Sequence, residues 1–359
     1  MQEQGEGGRA FQFDGNWRDF APIAFTNLLL TIVTLGVYMF WARTRERRYL
    51  WSQTRFIDDR LEWTGTGLEL FIGYLLALVL FVLPLGLVQF AVQALAIRGQ
   101  DGAAALLILG VYVAVMYLIG VAIFRALRYR LSRTYWHGIR GGTDLQGFRY
   151  GLSHLWKTIV GGLAAGLLVP WAMVSLWNER WNAMSFGPHE FRSDAQSGGL
   201  MARYLLYYLA PVVLFIGGLI MAAMVGPMGP VGAPGEIHVQ IFLVIAVLYV
   251  GFFVVLGLIA LFFYAAYFRE VVSNLSLGDL DFEFRARTLD WLKLVVGNFL
   301  LVVLTLGIGT IFIGYRNWTF FIRHLHAYGS LNLDDFTQSN TRQPGQGEGL
   351  LDAFDVGAF

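Results

Sequence analysis

The sequence predicts an α-helical polytopic membrane protein with three internal repeats that contain broken helices, two long transmembrane hairpins and short β segments that form a cytoplasmic cap. Its 359 residues are 56% hydrophobic and only 14% charged, whereas a soluble domain carries about 25% charged residues. Seven uncharged stretches are close to or longer than the roughly 20 residues that cross a bilayer core. Runs this long and continuously apolar form helices, because barrel strands are shorter and alternate.

An internal repeat is the third observation, and it is centred on the segment Asn27–Tyr49. A shift of 271 residues places Phe11, Phe13, Asp19, Asn27, Thr34, Leu35, Gly36 and Arg45 on Phe282, Phe284, Asp290, Asn298, Thr305, Leu306, Gly307 and Arg316. A less similar copy lies around Thr158–Arg180. In each copy an uncharged helix with a Gly or Pro break runs into an Arg-bearing segment, and such repeats determine the architecture.

The order of the apolar runs divides the chain into segments. The two hairpins consist of Leu70–Ile97 with Ala103–Phe124, and of Tyr204–Val225 with Val239–Phe268, the latter two joined by a Gly- and Pro-rich linker. The predicted segments are a disordered tail (1–10), repeat 1 (11–67), hairpin 1 (68–131), repeat 2 (132–197), hairpin 2 (198–278), repeat 3 (279–337) and a disordered tail (338–359). We expect no cleaved signal peptide in the polar residues 1–10.

Short strand-like segments flank the repeat helices. They are Phe11–Gly15, Arg60–Gly67, Trp136–Asp144, His189–Asp194, Asp281–Phe284 and Leu331–Phe336. On one side of the membrane these segments can pair into one sheet, whereas divided across it they leave lone edges.

Lys and Arg decide between two ways of threading the membrane. If the three repeat helices turn back at their breaks, 25 of the 26 Lys and Arg lie on one side, whereas seven straight crossings divide them 16 to 10. The positive-inside rule favours the first arrangement. The short leg Val37–Ala42, which spans about 9 Å as a helix, argues for the second, so both arrangements stay open.

Few polar groups lie within the apolar stretches, and none of them is ionisable. Asn27, Thr34, Asn298 and Thr305 occupy matching places in two repeats and are candidates for a polar path. The alternative is that the amides bond neighbouring backbone or helices. Because coupled transporters usually need an intramembrane ionisable group, its absence makes coupled transport less favoured.

Arginines cluster where the first repeat helix and the first hairpin end. They are Arg43, Arg45, Arg47, Arg48, Arg125, Arg128, Arg130 and Arg133. Either they anchor the helices at the headgroups, or the two clusters form a site for an anionic lipid or metabolite. The predicted partners are therefore the lipid bilayer and its anionic phospholipids, and no nucleic acid is expected at a net charge of +1.

Catalytic and metal-binding patterns are missing from the sequence. The chain has no cysteine, which excludes disulfides and thiolate sites. The six histidines have no partner at ligand spacing, and no nucleophile motif is present. We therefore predict no metal, no cofactor and no enzymatic activity.

Several motifs resemble the YjgN-like family of bacterial inner-membrane proteins. They are FQFDG at Phe11–Gly15, Asn27 with TLGVY at Thr34–Tyr38, FWARTRERRY at Phe40–Tyr49, RLEWTGTG at Arg60–Gly67 and SRTYWHGIR at Ser132–Arg140. The likeness extends from Phe11 to about Phe336; the family more often has Arg in place of His137, and the middle copy departs from the pattern. That family is a domain of unknown function, so the resemblance implies a location and a fold and transfers no catalytic residue.

Two classes of function stay open. The first is a non-enzymatic transporter, channel-like protein or binder of lipids or small ligands, because transporters build sites from broken helices in repeats. The second is a scaffold or assembly factor that holds a protein partner through a basic cytoplasmic face.

Overall fold

The computed structural model describes residues 10–79, 83–163, 165–225, 239–329 and 337–342. In this part of the chain most residues are helical. The helices are α1 (Trp17–Val33), α2 (Met39–Ser52), α3 (Gly67–Ala77), α4 (Leu83–Ile97), α5 (Asp101–Arg133), α6 (Phe148–Leu163), α7 (Val169–Trp181), α8 (Gly198–Tyr204), α9 (Leu206–Val225), α10 (Val239–Ser273), α11 (Thr288–Leu304) and α12 (Ile313–His324). A 3-10 helix, Ile308–Phe312, leads into α12.

Three short helix pairs, α1–α2, α6–α7 and α11–α12, replace the three broken helices of the prediction. In each pair two consecutive residues with positive φ reverse the chain: Leu35 with Gly36, Ala165 with Gly166, and Leu306 with Gly307. The reversal is shown by the 3.1 Å hydrogen bond from Asn27 Nδ2 to the carbonyl of Ala42. Fifteen residues of continuous helix would hold these groups about 22 Å apart.

Long apolar helices form the rest of the helical bundle. Three helical segments in the described residues are long and apolar enough to cross a membrane: Asp101–Arg133, Gly198–Ile220 and Ala246–Ser273. Helix α4 packs along α5, and α9 packs along α10. Helices α3 and α4, which flank residues 80–82, are shorter apolar helices. These features confirm a helical membrane protein.

Eleven short antiparallel strands in the described residues lie at one end of the helices. They are β1 (Phe11–Phe13), β2 (Thr54–Phe56), β3 (Asp59–Arg60), β4 (Glu62–Trp63), β5 (Thr134–Trp136), β6 (Ile139–Gly142), β7 (Ser185–Phe186), β8 (His189–Ser193), β9 (Leu275–Leu277), β10 (Leu280–Phe284) and β11 (Leu325–Tyr328). Strands β4 to β11 pair in chain order into one sheet, and β1 to β3 form a second sheet. The rings of Phe11 and Phe282 lie 6.3 Å apart and join β1 to β10.

The main core lies between the sheets and the helix ends. It contains buried side chains from all three predicted repeats, including Phe56, Trp136, Phe191 and Phe282. Trp136 is 1% exposed, and its indole Nε1 donates to the carbonyl of Phe56 at 3.0 Å. Alternate side chains of the strands pack into this core and hold strands of only two to five residues in place. Strands this short expose only short edges.

The strand predictions agree with the structure only in part. The predicted segments at Phe11–Gly15, Trp136–Asp144, His189–Asp194 and Asp281–Phe284 contain strands, and Arg60–Gly67 contains β4 and one residue of β3. Leu331–Phe336 lies outside the described residues, as do residues 1–9, 226–238 and 343–359. Four further strands, β2, β7, β9 and β11, were not predicted, because each has only two to four residues and is too short to show alternation.

Residues 337–342 differ from the predicted disordered tail. Gln338 Nε2 donates to the carbonyl of Gly138 at 2.8 Å, and its Oε1 accepts from the backbone N–H of Arg140 at 3.3 Å. The guanidinium of Arg140 donates to the carbonyl of Thr341. These polar side chains pair backbone groups at β6, which fixes the segment despite its lack of apolar residues.

Candidate functional site

A polar contact ties the two helices of the first short pair together. Asn27 is 8% exposed, and its Oδ1 accepts from Arg45 Nη1 at 3.3 Å. The same guanidinium nitrogen donates to Tyr38 Oη at 3.2 Å. No carboxylate of the described residues forms an ion pair with Arg45, so this guanidinium lies among neutral oxygens.

The third short pair contains the same contact. Asn298 Oδ1 accepts from Arg316 Nε at 2.6 Å, and Asn298 Nδ2 donates to Asn317 Oδ1 at 3.0 Å. A Cβ at Gly297 would overlap the guanidinium of Arg316, so the glycine makes room for it. Both amides lie eight residues before the first positive-φ residue of their turn.

Thr34 and Thr305 have a local role at the turns. Thr34 Oγ1 donates to the carbonyl of Leu30 at 2.8 Å and accepts from the backbone N–H of Tyr38 at 2.9 Å. Thr305 likewise donates to Leu301 at 2.6 Å and accepts from Gly309 at 2.7 Å. Each threonine thus provides an acceptor for a backbone N–H just beyond the reversal.

The middle short pair has an ion pair in place of the amide and guanidinium. Lys157 also lies eight residues before its turn, and its Nζ is 2.6 Å from Glu179 Oε2. The same oxygen accepts from Ser153 Oγ at 2.5 Å. This pair was not predicted because both residues lie just outside the apolar stretch. The position of Lys157, eight residues before its turn as in the other two pairs, would have identified it. The turn itself is held to α9, since the Tyr208 hydroxyl donates to the Ala165 carbonyl.

A pocket of about 260 Å³ lies between the first and third short pairs. It is lined by Phe20, Ala24, Asn27, Leu28, Thr31, Met39, Ala42, Arg43, Glu46, Thr310, Ile311 and Gly314. The ring of Phe20 stacks on Tyr315 at 5.1 Å and thereby joins the two pairs beside the pocket. Of the four residues predicted to form a polar path, only Asn27 lines this pocket, and the polar path stays a prediction.

Charged groups occupy one wall of the pocket. Arg43 Nη1 lies 3.7 Å from Glu46 Oε2, and the two side chains are 32% and 16% exposed. A Cβ at Gly314 would overlap Oε1 of Glu46, so the carboxylate reaches helix α12 only because residue 314 is glycine. The opposite sign of the two side chains leaves this wall close to neutral.

Near the sheet end of the pocket, Tyr49 fixes the start of α1. Its hydroxyl donates to the carbonyl of Asn16 at 2.8 Å, and Asn16 Oδ1 caps the helix by accepting from Arg18 N at 3.1 Å. Burial raises the pKa of the Tyr49 hydroxyl above its usual value, although the hydrogen bond to Asn16 opposes the shift. The phenol therefore stays protonated and keeps donating at neutral pH.

The eight arginines predicted to contact an anionic ligand are engaged in different places. Arg133 pairs with Glu69 at 2.9 Å, and the guanidinium of Arg47 lies over the Trp63 ring at 5.0 Å. Arg128 is 2% exposed and donates to the carbonyl of Leu145, while Arg125 donates to that of Gln146. These arginines thus have different partners, because helix periodicity points neighbouring arginines to different faces, and an anionic site between the clusters stays a prediction.

The sheet carries a second, polar depression of about 750 Å³. Its charged lining residues are Glu190, Arg192, Asp194 and Asp281. This surface is acidic, whereas the protein partner was predicted to bind a basic cytoplasmic face. The protein partner stays a prediction. Within the described residues, no group of three or more His, Asp or Glu could hold a metal ion.

Comparison with known proteins finds relatives along almost the whole chain. Residues 9–353 match the sequence pattern of the family described as bacterial protein of unknown function, DUF898. An "Inner membrane protein YjgN" of Salmonella typhimurium is 24% identical over 344 residues, which is 82% of each chain. A protein of the same name from Escherichia coli K12 is 35% identical over 66 residues, 18% of this chain and 17% of its own. No solved structure matches.

Proposed function

We propose that this chain, which belongs to the bacterial family of unknown function DUF898, is a non-enzymatic membrane protein. It binds a small or lipidic ligand between its first and third short helix pairs. The chain is a multi-pass protein of the bacterial inner membrane, as predicted, since its relatives are inner membrane proteins and it has long apolar helices. Beyond this location, we propose a ligand and the way in which the helices lie in the membrane.

In the proposed arrangement, the long helices cross the bilayer, and the short pairs enter it from the sheet side and return. The exposed apolar turns support this placement: Leu35 is 95% exposed, Leu306 is 93% exposed and Leu163 is 80% exposed. In water such tips would lose the free energy that apolar burial provides. In lipid they are solvated, while the chain reversal keeps their backbone groups paired.

The charge distribution supports a cytoplasmic sheet. In this arrangement, 25 of the 26 Lys and Arg lie on the sheet side. Arg98, which follows α4, is then the one basic residue on the other side. The positive-inside rule places the Lys- and Arg-rich side in the cytoplasm.

The pocket is the single observation that carries the ligand-binding proposal. Its polar side chains, Asn27, Thr31, Arg43, Glu46 and Thr310, converge between helices whose outer faces are apolar. A concave site with a few convergent polar groups in apolar surroundings is the usual form of a small-ligand site. Two re-entering helix pairs that meet at such a site resemble the broken-helix sites of transporters.

Filling the pocket tests the proposal. We expect Gly314→Leu to abolish the rise in melting temperature that the wild-type protein shows with its ligand in a panel of lipids and small metabolites, because the added side chain occupies the pocket. Ala42→Leu fills the pocket from the other wall and has the same expected effect. Val303→Leu, on the half-exposed outer face of α11, is the matched control. If no member of the panel stabilises the wild type, or if both filled variants respond as the wild type does, the proposed function is wrong.

A further inference from the structure

The pocket contains both signs of charge on one wall. Arg43 and Glu46 are one helical turn apart on α2 and project into the same space. We propose, given the ligand-binding function proposed above, that the ligand is zwitterionic and carries an anionic phosphate or carboxylate together with a primary ammonium group. The anion binds Arg43, and the ammonium group binds Glu46.

The two opposite charges on this wall favour a ligand that carries both signs. Arg43 Nη1 and Glu46 Oε2 are 3.7 Å apart, so a ligand group placed beside one of these side chains also lies near the other. A zwitterion supplies each side chain with an opposite charge, whereas a singly charged ligand leaves one wall charge without a new partner and pays its desolvation.

Gly314 positions the carboxylate for this role. Because residue 314 has no Cβ, Oε1 of Glu46 lies against the third short pair while Oε2 faces Arg43. The carboxylate thus bridges the two pairs and is held inside the pocket. An ammonium group has three N–H donors and can bond such an oxygen from within the pocket.

The surroundings of the pocket favour a lipid as the source of the zwitterion. Phe25, Leu29 and Ile32, next to the lining face of α1, are 50%, 63% and 65% exposed. These side chains offer an apolar surface along which acyl chains can lie. Arg43 is seven residues beyond Gly36, or about 10 Å nearer the sheet along a helix. In the proposed arrangement the turn enters the bilayer, and Arg43 then lies at the level of the lipid headgroups.

Binding measurements on the full-length protein in detergent test the proposal. The probes are short-chain phosphatidylethanolamine, which is zwitterionic with a primary ammonium group, short-chain phosphatidylglycerol, which is only anionic, and soluble phosphoethanolamine. We expect the wild type to bind the ethanolamine lipid about tenfold more tightly than the glycerol lipid, as one charge-assisted hydrogen bond allows. Glu46→Gln should reduce that preference to less than about twofold, and Arg43→Gln should weaken both lipids.

The controls separate the failure of this inference from that of ligand binding. Equal affinity of the wild type for both lipids, or an unchanged preference in Glu46→Gln, overturns the zwitterion. If Gly314→Leu nevertheless abolishes binding of both lipids, the pocket is still the site. If Gly314→Leu binds both as the wild type does, the pocket itself fails. Competition by phosphoethanolamine alone identifies a soluble ligand. Glu46→Asp, which keeps the charge and should keep the preference, is the matched control for Glu46→Gln, and the preference of the wild type tests the proposal if Glu46→Gln does not fold.

Discussion

Replacing Trp136 by alanine is expected to lower the free energy of unfolding by about 3–5 kcal/mol. The indole is 1% exposed and packs edge-on against Phe56 at 4.9 Å between ring centroids. Its removal leaves a cavity in the core beneath the sheet and takes away the donor of the hydrogen bond to the Phe56 carbonyl. Because β4 to β11 pair into one sheet, the loss should extend beyond β5.

The effect can be measured as the shift of the thermal unfolding midpoint in one detergent. Trp17→Ala is the matched control, since Trp17 is 56% exposed and should change the stability by less than about 0.5 kcal/mol. Trp136→Phe, which keeps part of the ring volume, should lie between the wild type and the alanine variant. Equal midpoints for Trp136→Ala and Trp17→Ala would show that the core beneath the sheet is not formed as described.

The second large effect concerns the ion pair of the middle short pair. Glu179→Leu removes the carboxylate 2.6 Å from Lys157, whose side chain is 9% exposed. Breaking a buried ion pair costs about 3–5 kcal/mol because a charge is left without a partner. The carboxylate itself is 32% exposed, so we expect about 3 kcal/mol, the low end of that range.

A double substitution separates this cost from the loss of packing. Lys157→Met combined with Glu179→Leu should recover most of the stability, since neither charge is then left unpaired. Glu283→Gln, which breaks the exposed pair with Arg285, is the matched control and should cost less than about 1 kcal/mol. If the costs of the two single substitutions simply add in the double variant, Lys157 and Glu179 do not interact in the folded protein.

The class of protein could be predicted from the sequence because the bilayer imposes it. Uncharged runs such as Ala103–Phe124 predict a membrane helix, and α5 covers this run. The family and the inner-membrane location are confirmed by the comparisons. The internal repeat stays a prediction, although its register aligns two pairs of residues, Asn27 with Arg45 and Asn298 with Arg316, that make the same contact.

The site could be predicted only in part, because its parts are far apart in the sequence. Asn27 is separated from Gly314 by most of the chain, and only the packing of the first pair on the third brings them to one pocket. The ion pair of Lys157 and Glu179 was missed for a different reason. Both residues lie outside the apolar run, whereas a helix that turns back places residues from both ends of a run side by side.

Strand pairing was the least predictable part of the fold. Strands such as β7, Ser185–Phe186, are too short to show alternation, and β7 exists because the neighbouring strands β6 and β8 pair with it. The predicted arginine contacts stay a prediction, and neighbouring arginines differ in their surroundings. Arg47 and Arg48 are adjacent in the sequence, but Arg47 is 4% exposed against Trp63 while Arg48 faces outward.

Labelling of single cysteines in right-side-out membrane vesicles tests the central claim most directly, because the natural chain has no cysteine. We expect a membrane-impermeant maleimide to label Arg98→Cys in intact vesicles, and to label Trp17→Cys and Glu190→Cys only after permeabilisation. Arg60→Cys should stay unlabelled in intact vesicles under either threading and is the control for leakage. Labelling of Trp17→Cys and Glu190→Cys in intact vesicles would mean that the short helix pairs cross the membrane, which contradicts the account.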